Sequence, residues 1–595
     1  MKKEYYSKLK DSLYIYRWWF VCGIIAVLIF DSSNLAIPWA LKIAIESLKN
    51  PTSSAHGVSY YAFIIVILAC SGFLFRLISR YFLFGASRYM EYDLRRDIFG
   101  HLLRLSPKGF SKFRIGDLIS RASNDLNTIK MFIGFGILTI ISTCFTYIVA
   151  LCAMFSLSPR LTLLSLIPLP LIVLVVKKVT PKMYSISRET QDMLGEISNI
   201  SQETVSGIQT IKAFVQEEKN YRRFIDYNKS YYSMRLKLVK YMGLIFPLMG
   251  MLSGVGTLIV LWQGGAMVIN KEITLGDFVA FNTYLGMLIW PSIALGWIFT
   301  LIQRGLASFA RVCEVFDEIP TITDDESEND SAILSGDIEI KDLTFSYGSP
   351  SDDSGNEPGR NVIDGVSLTI KEGETLVIVG PTGSGKTTLA KLITRLIEVP
   401  EGAVYIDGKD ITKVPVASLR KSIGYIPQEG FIFHNSIREN IGYGLDNGNG
   451  GMNPDMLAKA AEIADFLKDI EGFPDGMETR VGERGVTLSG GQRQRLTLAR
   501  MLVCDPNILI LDDSLSSVDT HTERNIMENL RDILKKKTSI VITHRISPLK
   551  YADRIAVIDN GKLAELGTHG ELMQKRGTYF KLYTRQALTE EMEEL

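Results

Sequence analysis

The first half of the chain alternates long stretches without charge with long charged ones. Residues 57–75, 131–159, 161–176, 241–270 and 278–303 contain no Asp, Glu, Lys or Arg, and 18–41 is similar but for Asp31. A bilayer core takes about 20 apolar residues as a helix, so most of these runs are long enough to cross it. Residues 161–176 reach that length only with their flanks. A buried core helix accounts for one such run, but not for six in succession. The pattern predicts an all-α transmembrane domain over residues 1–320, with six helices at about 17–41, 57–82, 131–158, 160–180, 241–270 and 275–303.

The charged connections orient these helices. Nine Lys/Arg fall in residues 88–130 and twelve in 177–240, whereas the other connections hold only Lys42 and Lys49, then Arg160, then Lys271. Basic residues favour the cytoplasmic side, which places the long loops 83–130 and 181–240 and both chain ends there. As helices running out and back, these loops would reach about 30–40 Å from the membrane. Their turns are expected near residues 107–116 and 206–216.

Beyond Pro320 the period changes. Residues 321–335 contain the acidic run TDDESENDS and read as a solvated linker. From 336 to 585, short β-branched runs (DIEIKDLTFSY, ETLVIVG, AVYIDG, SIGYIP, NILILDD, SIVITHR, RIAVIDNG) alternate with helical stretches. Strands interleaved with helices predict an α/β domain with a largely parallel sheet. The polar stretch 349–361 reads as a surface loop, and 586–595 as an acidic tail.

Composition adds one fact to this division. Lys+Arg and Asp+Glu both number 65 in the 595 residues, yet residues 1–320 carry a net +13 and the remainder −13. The positive half follows the cytoplasmic loops, which argues against a nucleic-acid surface. An apolar share of 46% excludes a disordered chain. The six cysteines form no CxxC or Cys/His pair, so neither zinc nor a disulfide framework is suggested.

Chemistry concentrates in the second half. Thr375–Val379 reads as a strand, followed by Gly380, Pro381, Thr382, Gly383, Ser384, Gly385, Lys386 and Thr387 ahead of a helical run. This is G-x-x-x-x-G-K-[ST] in its strand–loop–helix setting, where backbone N–H groups at a helix N-terminus close around phosphates. Lys386 would neutralise the β- and γ-phosphates, and the Thr387 hydroxyl would ligate Mg2+. A second strand, Ile508–Leu511, ends in Asp512 and Asp513. Asp512 is placed to hold Mg2+ through water, and Asp513 to face the γ-phosphate as base or water-orienting group. His544 closes a third strand in the same way. The glycine turn Leu488–Gln492 opens a helix and is a further anion-binding arrangement, about 100 residues after the phosphate loop. One chain cannot readily wrap both elements around one nucleotide.

On these motifs the sequence resembles the ATP-binding cassette (ABC) transporters over nearly its whole length. Leu488-Ser489-Gly490-Gly491-Gln492 is similar to the family signature, which grips ATP bound by the opposite cassette. The resemblance further implies that Gln428 in YIPQE contacts Mg2+ and the membrane domain, and that Tyr347 stacks on adenine. It also makes Thr388 part of the phosphate loop and Ser516–Asp519 the D-loop. Thr479–Gly485 resembles the loop that touches the stalk helices of exporters. FSKFRIGDLISRASND (110–125) and SGIQTIKAF (206–214) resemble the two coupling loops, while GFGILT (134–139) and TYLGMLIWP (283–291) resemble MdlA-like subunits of bacterial heterodimeric multidrug exporters.

The family implies a half-transporter of the bacterial cytoplasmic membrane that pairs with a second half-transporter. It would use ATP and Mg2+ and move amphipathic or hydrophobic drugs or lipids. One residue departs from the pattern: active members have Glu where this chain has Asp513. Asp beside an intact signature implies a weakly hydrolytic site in a heterodimer whose other chain carries the Glu. A slowly hydrolysing homodimer and an ATP-gated channel are the alternatives. In the membrane half, Asp31, Arg76 and Arg80 are charges within or near spans, and Trp262, Trp290 and Trp297 are candidates to line a cavity.

Overall fold

The computed structural model describes residues 14–49, 57–323, 334–347, 361–445, 453–482 and 488–594. The expected linker and surface loop therefore lie largely outside the described residues. The chain forms two compact units, one of Met1–Leu103 with Phe113–Glu318, the other of Arg104–Lys112 with Ile319–Leu595.

The first unit is helical throughout. Arg17–Lys49 is one helix, and Val58–Arg104 is a single helix of 47 residues, so the second expected span continues without a break into the charged segment beyond residue 82. Short helices at Pro107–Ser111 and Ile115–Ser120 turn the chain back toward Ile137–Leu157. Pro168–Ser206 runs out and Glu217–Ile259 returns, joined by the short helix Ile208–Ala213. Leu275–Met287 and Ile289–Phe316 complete the unit.

Among the described residues, three helices are long and apolar enough to cross a membrane: Arg17–Leu48, Val58–Arg104 and Ile115–Leu157. The expected spans at 160–180, 241–270 and 275–303 are helical but interrupted. Prolines at 159 and 168 bracket a break at Leu166–Ile167, widened π turns fill Val260–Gly264, and Leu288 separates the last two helices.

Small residues let the first two helices approach closely, as in membrane helix pairs generally. A Cβ on Gly23 would lie 2.6 Å from Leu83 Cγ, and one on Gly85 would lie 2.7 Å from the Trp19 ring. Phe20, Val27, Leu83, Ala86 and Met90 bury the seam with Ile129, Ile133 and Val312.

The second unit holds two sheets. Strands β1 (Ile338–Phe345), β2 (Ile363–Ile370), β3 (Thr375–Val379), β4 (Val404–Ile406), β5 (Lys409–Asp410), β6 (Ile423–Ile426), β7 (Ile508–Asp512), β8 (Thr538–Ile542), β9 (Arg554–Asp559) and β10 (Lys562–Gly567) follow in chain order. One sheet is antiparallel with order β2-β1-β4-β5; the other has order β10-β9-β3-β8-β7-β6 and is parallel except at its β10 edge.

The largely parallel sheet expected from the sequence is present, but two of the runs read into it, DIEIKDLTFSY and AVYIDG, pair antiparallel in a sheet of their own. The physical cause lies in the burial pattern. Strands β3, β7 and β8 are buried on both faces and read as continuous apolar runs. Leu376, Ile378, Ile508, Ile510, Ile540 and Ile542 point one way, and the antiparallel sheet covers that face with Ile338, Ile340, Val366, Leu368 and Val404. Val377, Val379, Leu509, Leu511 and Val541 point the other way, against helices carrying Leu457, Ala461, Leu496, Leu498, Ile526 and Leu530. The helix after β3, Lys386–Ile393, sits between the two sheets through Leu389, Ala390, Leu392 and Ile393.

Candidate nucleotide-binding site

Strands β9, β3, β8, β7 and β6 run parallel, so their C-terminal ends share one edge of the sheet. In open α/β sheets that edge is where ligands bind. Register makes the convergence concrete. Ile378 lies opposite Ile542, and Ile542 opposite Asp512, so Gly380, Asp512, Asp513 and His544 emerge side by side. Two backbone bonds close the edge: Asp513 N–H donates to Ile542 O at 2.9 Å, and Thr543 N–H to Ile378 O at 3.3 Å.

The phosphate loop is built by backbone that other residues resist. Gly380, Gly383 and Gly385 have φ of +154°, +81° and +106°. A Cβ at Gly380 would clash with the Ile558 carbonyl of neighbouring β9, and one at Gly385 would lie 2.7 Å from Val362 O. Gly383 faces open space. Lys386 is buried, and its Nζ donates to the Gly380 and Pro381 carbonyls at 2.8 Å each. Burial holds its ammonium below the ordinary lysine range, opposed by the charges of Asp513 and Asp512.

The two metal-ligand candidates meet directly. Thr387 Oγ1 donates to Asp512 Oδ1 at 3.0 Å. The other Asp512 oxygen accepts from the Tyr425 hydroxyl at 3.3 Å. Burial raises the Asp512 carboxyl above the usual range, and those two hydrogen bonds work against the rise. Asp513 takes a left-handed backbone, φ +48°, unusual for a residue with a side chain. His544 keeps an exposed face at the end of β8. Partial desolvation of its ring, then the Lys386 ammonium, holds the imidazole below 6.5, against the pull of Asp513 and Asp512.

Other expected residues are placed as follows. The Tyr347 hydroxyl lies 3.0 Å from Thr388 Oγ1, and its ring, half exposed, stands edge-on to Phe345 at 5.2 Å. An exposed aromatic face is thereby fixed beside the phosphate loop. Gln428 is exposed, two residues beyond β6. Of the stretch Thr479–Gly485, residues 483–485 lie outside the described residues.

Ser489 caps the helix Gly490–Leu502 in a reciprocal capping box with Gln492, at 3.2 Å and 3.0 Å. The capped turn presents the helix N-terminus, a natural anion site. Asp519 caps Thr520–Leu534 by accepting from Thr522 N–H at 2.9 Å, a bond that lowers its carboxyl.

Three side chains that hold the site's loops and carboxylate escaped the sequence reading. Gln494 ties the signature helix to the D-loop: its Nε2 donates to Ser516 Oγ at 3.1 Å, and its Oε1 accepts from Ser517 N–H at 2.9 Å. Arg545 holds the same loop from the other side, donating to Val518 O at 2.9 Å and Ser516 O at 2.8 Å, and pairing with buried Glu523. Tyr425 is the third, through Asp512. Each neighbours a motif residue, in RQRLTLAR, THR and YIPQE; that adjacency was the available signal.

The residues present fit a magnesium-bound triphosphate. The Ser384 hydroxyl, buried inside the loop, has no hydrogen-bond partner among the described residues, and Gly383 leaves room where a side chain would project. Thr387 and Asp512 form an oxygen pair suited to a hard cation.

A sheet edge carrying a phosphate loop and paired carboxylates defines a P-loop nucleotide-binding domain, here on the same chain as a helical transmembrane domain. Residues 20–292 match the ABC transporter transmembrane region, and residues 363–516 match the ABC transporter model. Bacillus subtilis "Probable multidrug resistance ABC transporter ATP-binding/permease protein YheI" is 37% identical over 98% of both chains. Multidrug resistance-like ATP-binding protein MdlA of Buchnera aphidicola (subsp. Schizaphis graminum) is 32% identical over 97% of this chain and 98% of its own. The ATP-dependent lipid A-core flippase of Desulfotalea psychrophila is 36% identical over 83% and 84%. The solved structure of a bacterial Atm1-family ABC exporter with ATP bound superposes with a TM-score of 0.76 at 27% identity, covering 96% of this chain and all of that one. The chain belongs to the ABC transporter family.

Proposed function

We propose that the chain is one subunit of an ATP-driven exporter that moves amphipathic or hydrophobic compounds, drugs or lipids, out across the bacterial cytoplasmic membrane. In this reading it has six spans, with both ends and the nucleotide-binding domain cytoplasmic. The relatives' names, multidrug resistance proteins and a lipid A-core flippase, support that substrate class.

The observation that carries the reading is the pair of half-sites. The phosphate loop with Thr387 and Asp512 forms one, and the capped turn at Ser489 forms another on a separate helix. Two chains facing each other would complete two sites. Tyr347 would stack on adenine, a contact worth about 1–3 kcal/mol. The phosphate-loop amides and Lys386 would hold the phosphates, and Ser489, Gly490 and Gly491 of the other chain would close over them. Thr387, Asp512 and Gln428 would hold Mg2+, which when bound neutralises the phosphate oxygens. Asp513 and His544 would orient the attacking water. Closure would turn the cavity outward, and hydrolysis would reset it, an alternating-access cycle.

Asp513 sets the division of labour. Its carboxylate sits one methylene further back than Glu would, and a misplacement of about 1 Å can cost roughly 100-fold in rate. This chain then supplies the weakly hydrolytic site of a heterodimer and completes the good site of a partner bearing Glu. The complete set of site elements on one chain favours a second reading, a homodimer with slow turnover.

Vesicle uptake tests the function. ATP-driven accumulation of a fluorescent amphiphile against its gradient, lost in Lys386→Ala, is expected. Equilibration without accumulation would point to a channel instead.

A further inference from the structure

The turn at Ser489 depends on an amide that can point two ways. Gln492 Oε1 accepts from Ser489 N–H at 3.0 Å, while Gln492 N–H donates to Ser489 Oγ at 3.2 Å. A glutamine amide has an acceptor at one end and donors at the other, and the two ends are nearly the same size. Shape alone does not keep Oε1 turned toward Ser489; a partner for the other end must. That partner is Asp469. Its Oδ1 accepts from Gln492 Nε2 at 2.9 Å, and a carboxylate, which only accepts, admits the amide nitrogen-first.

Asp469 is itself held. It is partly buried in the short helix Leu467–Gly472. Its Oδ2 pairs with the Arg495 guanidinium at 3.0 Å, and Arg495 stands one turn beyond Gln492 on the helix Gly490–Leu502. Arg495 is fixed in turn, donating to Asp465 O at 2.7 Å and lying over the Phe466 ring at 6.0 Å. The Asp469 carboxylate thus bridges two side chains of the signature helix, with its charge matched by one of them. Ser489 is exposed and takes the Gln492 N–H at its oxygen, which leaves its hydroxyl proton to donate outward to an anion.

We propose that Asp469 is a positioning residue for ATP closure: by fixing the Gln492 amide, it sets the Ser489 turn in the geometry that meets phosphates bound to the opposite chain. This rests on the reading of the signature turn as half of a shared ATP site, and adds to that site a residue outside the motifs.

Exchanging the two side chains tests it. In Gln492→Glu a carboxylate faces Asp469 and repels it. In the double variant Asp469→Asn with Gln492→Glu, the new amide can donate to the new carboxylate and still accept from Arg495. The hydrogen bonds then return with donor and acceptor exchanged. Two readouts are taken on the full chain assembled with its partner in lipid nanodiscs: hydrogen exchange of the amides of residues 489–493, and steady-state ATP turnover. Asp469→Ala and Gln492→Glu are each expected to speed exchange and lower turnover by about tenfold, and the double variant to return to within about threefold of wild type. Azido-ATP labelling of this chain should stay near wild type throughout, which also shows that each variant is folded. Wild-type exchange in Asp469→Ala overturns the proposal, as does a double variant no better than Gln492→Glu alone. So does wild-type turnover in Asp469→Ala despite faster exchange. Turnover that survives Ser489→Arg would instead sink the shared-site reading.

Discussion

At the residue scale, the proposed hydrolysis turns on Asp513 and His544. Asp513 stands at the end of β7 in a left-handed backbone, beside Lys386, so its position is set while its reach is short. Asp513→Glu is expected to raise single-turnover ATP hydrolysis at this site by about 10- to 100-fold. An unchanged rate would show that side-chain reach is not limiting. His544 makes a pH prediction. Its pKa in the fold lies below the ordinary 6.5, so the folded ring resists a proton that the unfolded chain accepts. Stability tied to the neutral ring is therefore present above pH 6.5 and lost as the pH falls below it. Denaturant melts at pH 7.5 and 5.5 should show a smaller acid loss in His544→Gln than in wild type. Asp512, Asp513 and His544 were legible because each closes an apolar strand, and the phosphate loop because it follows one. Tyr425, Gln494 and Arg545 were not, since their partners come from elements 22 to 87 residues away.

At the element scale, the sheet edge and the D-loop can be tested separately. Gly380→Ala forces a side chain against β9 at a φ that only glycine favours, and should destabilise the domain by about 1–3 kcal/mol. A thermal-shift assay with and without nucleotide checks this, and the variant should also bind ATP weakly. Gln494 is buried, and its loss would leave Ser517 N–H without its acceptor. Gln494→Ala should slow hydrolysis in the assembled transporter while nucleotide binding at the Lys386 site stays near wild type. Radiolabelled ATP binding and steady-state turnover separate the two effects. Charge-free runs predicted the membrane-domain helices, but not where they stop. Val58–Arg104 passes through the expected end at 82 because the charged residues that follow are as compatible with helix as the apolar ones before them. The antiparallel sheet was missed because β1 and β4 carry the same β-branched composition as the central strands. Only pairing distinguishes them, and pairing is a long-range property.

At the scale of the whole molecule, the signature turn makes the strongest prediction, because its effect should appear in another chain. Ser489→Arg would block the capped turn without touching this chain's phosphate loop. The expected result is normal ATP binding to this chain and loss of turnover by the partner's site. Photolabelling with azido-ATP, read separately on each subunit, would distinguish that outcome from a general collapse of binding.

The unbroken helix Val58–Arg104 has a mechanical consequence. Its 47 residues contain no proline, and at 1.5 Å each they make a rod of about 70 Å. A tilt of about 5° around its midpoint moves each end by about 3 Å in opposite directions. A bar of that length turns a small displacement at one tip into an equal and opposite one at the far tip, with no joint between them to absorb it. Near its middle, Gly85 seats Trp19 of the first helix and Leu83 packs against Gly23 of that helix, and this contact would then serve as a fulcrum. Loosening that bearing should cost the machine stroke before it costs stability.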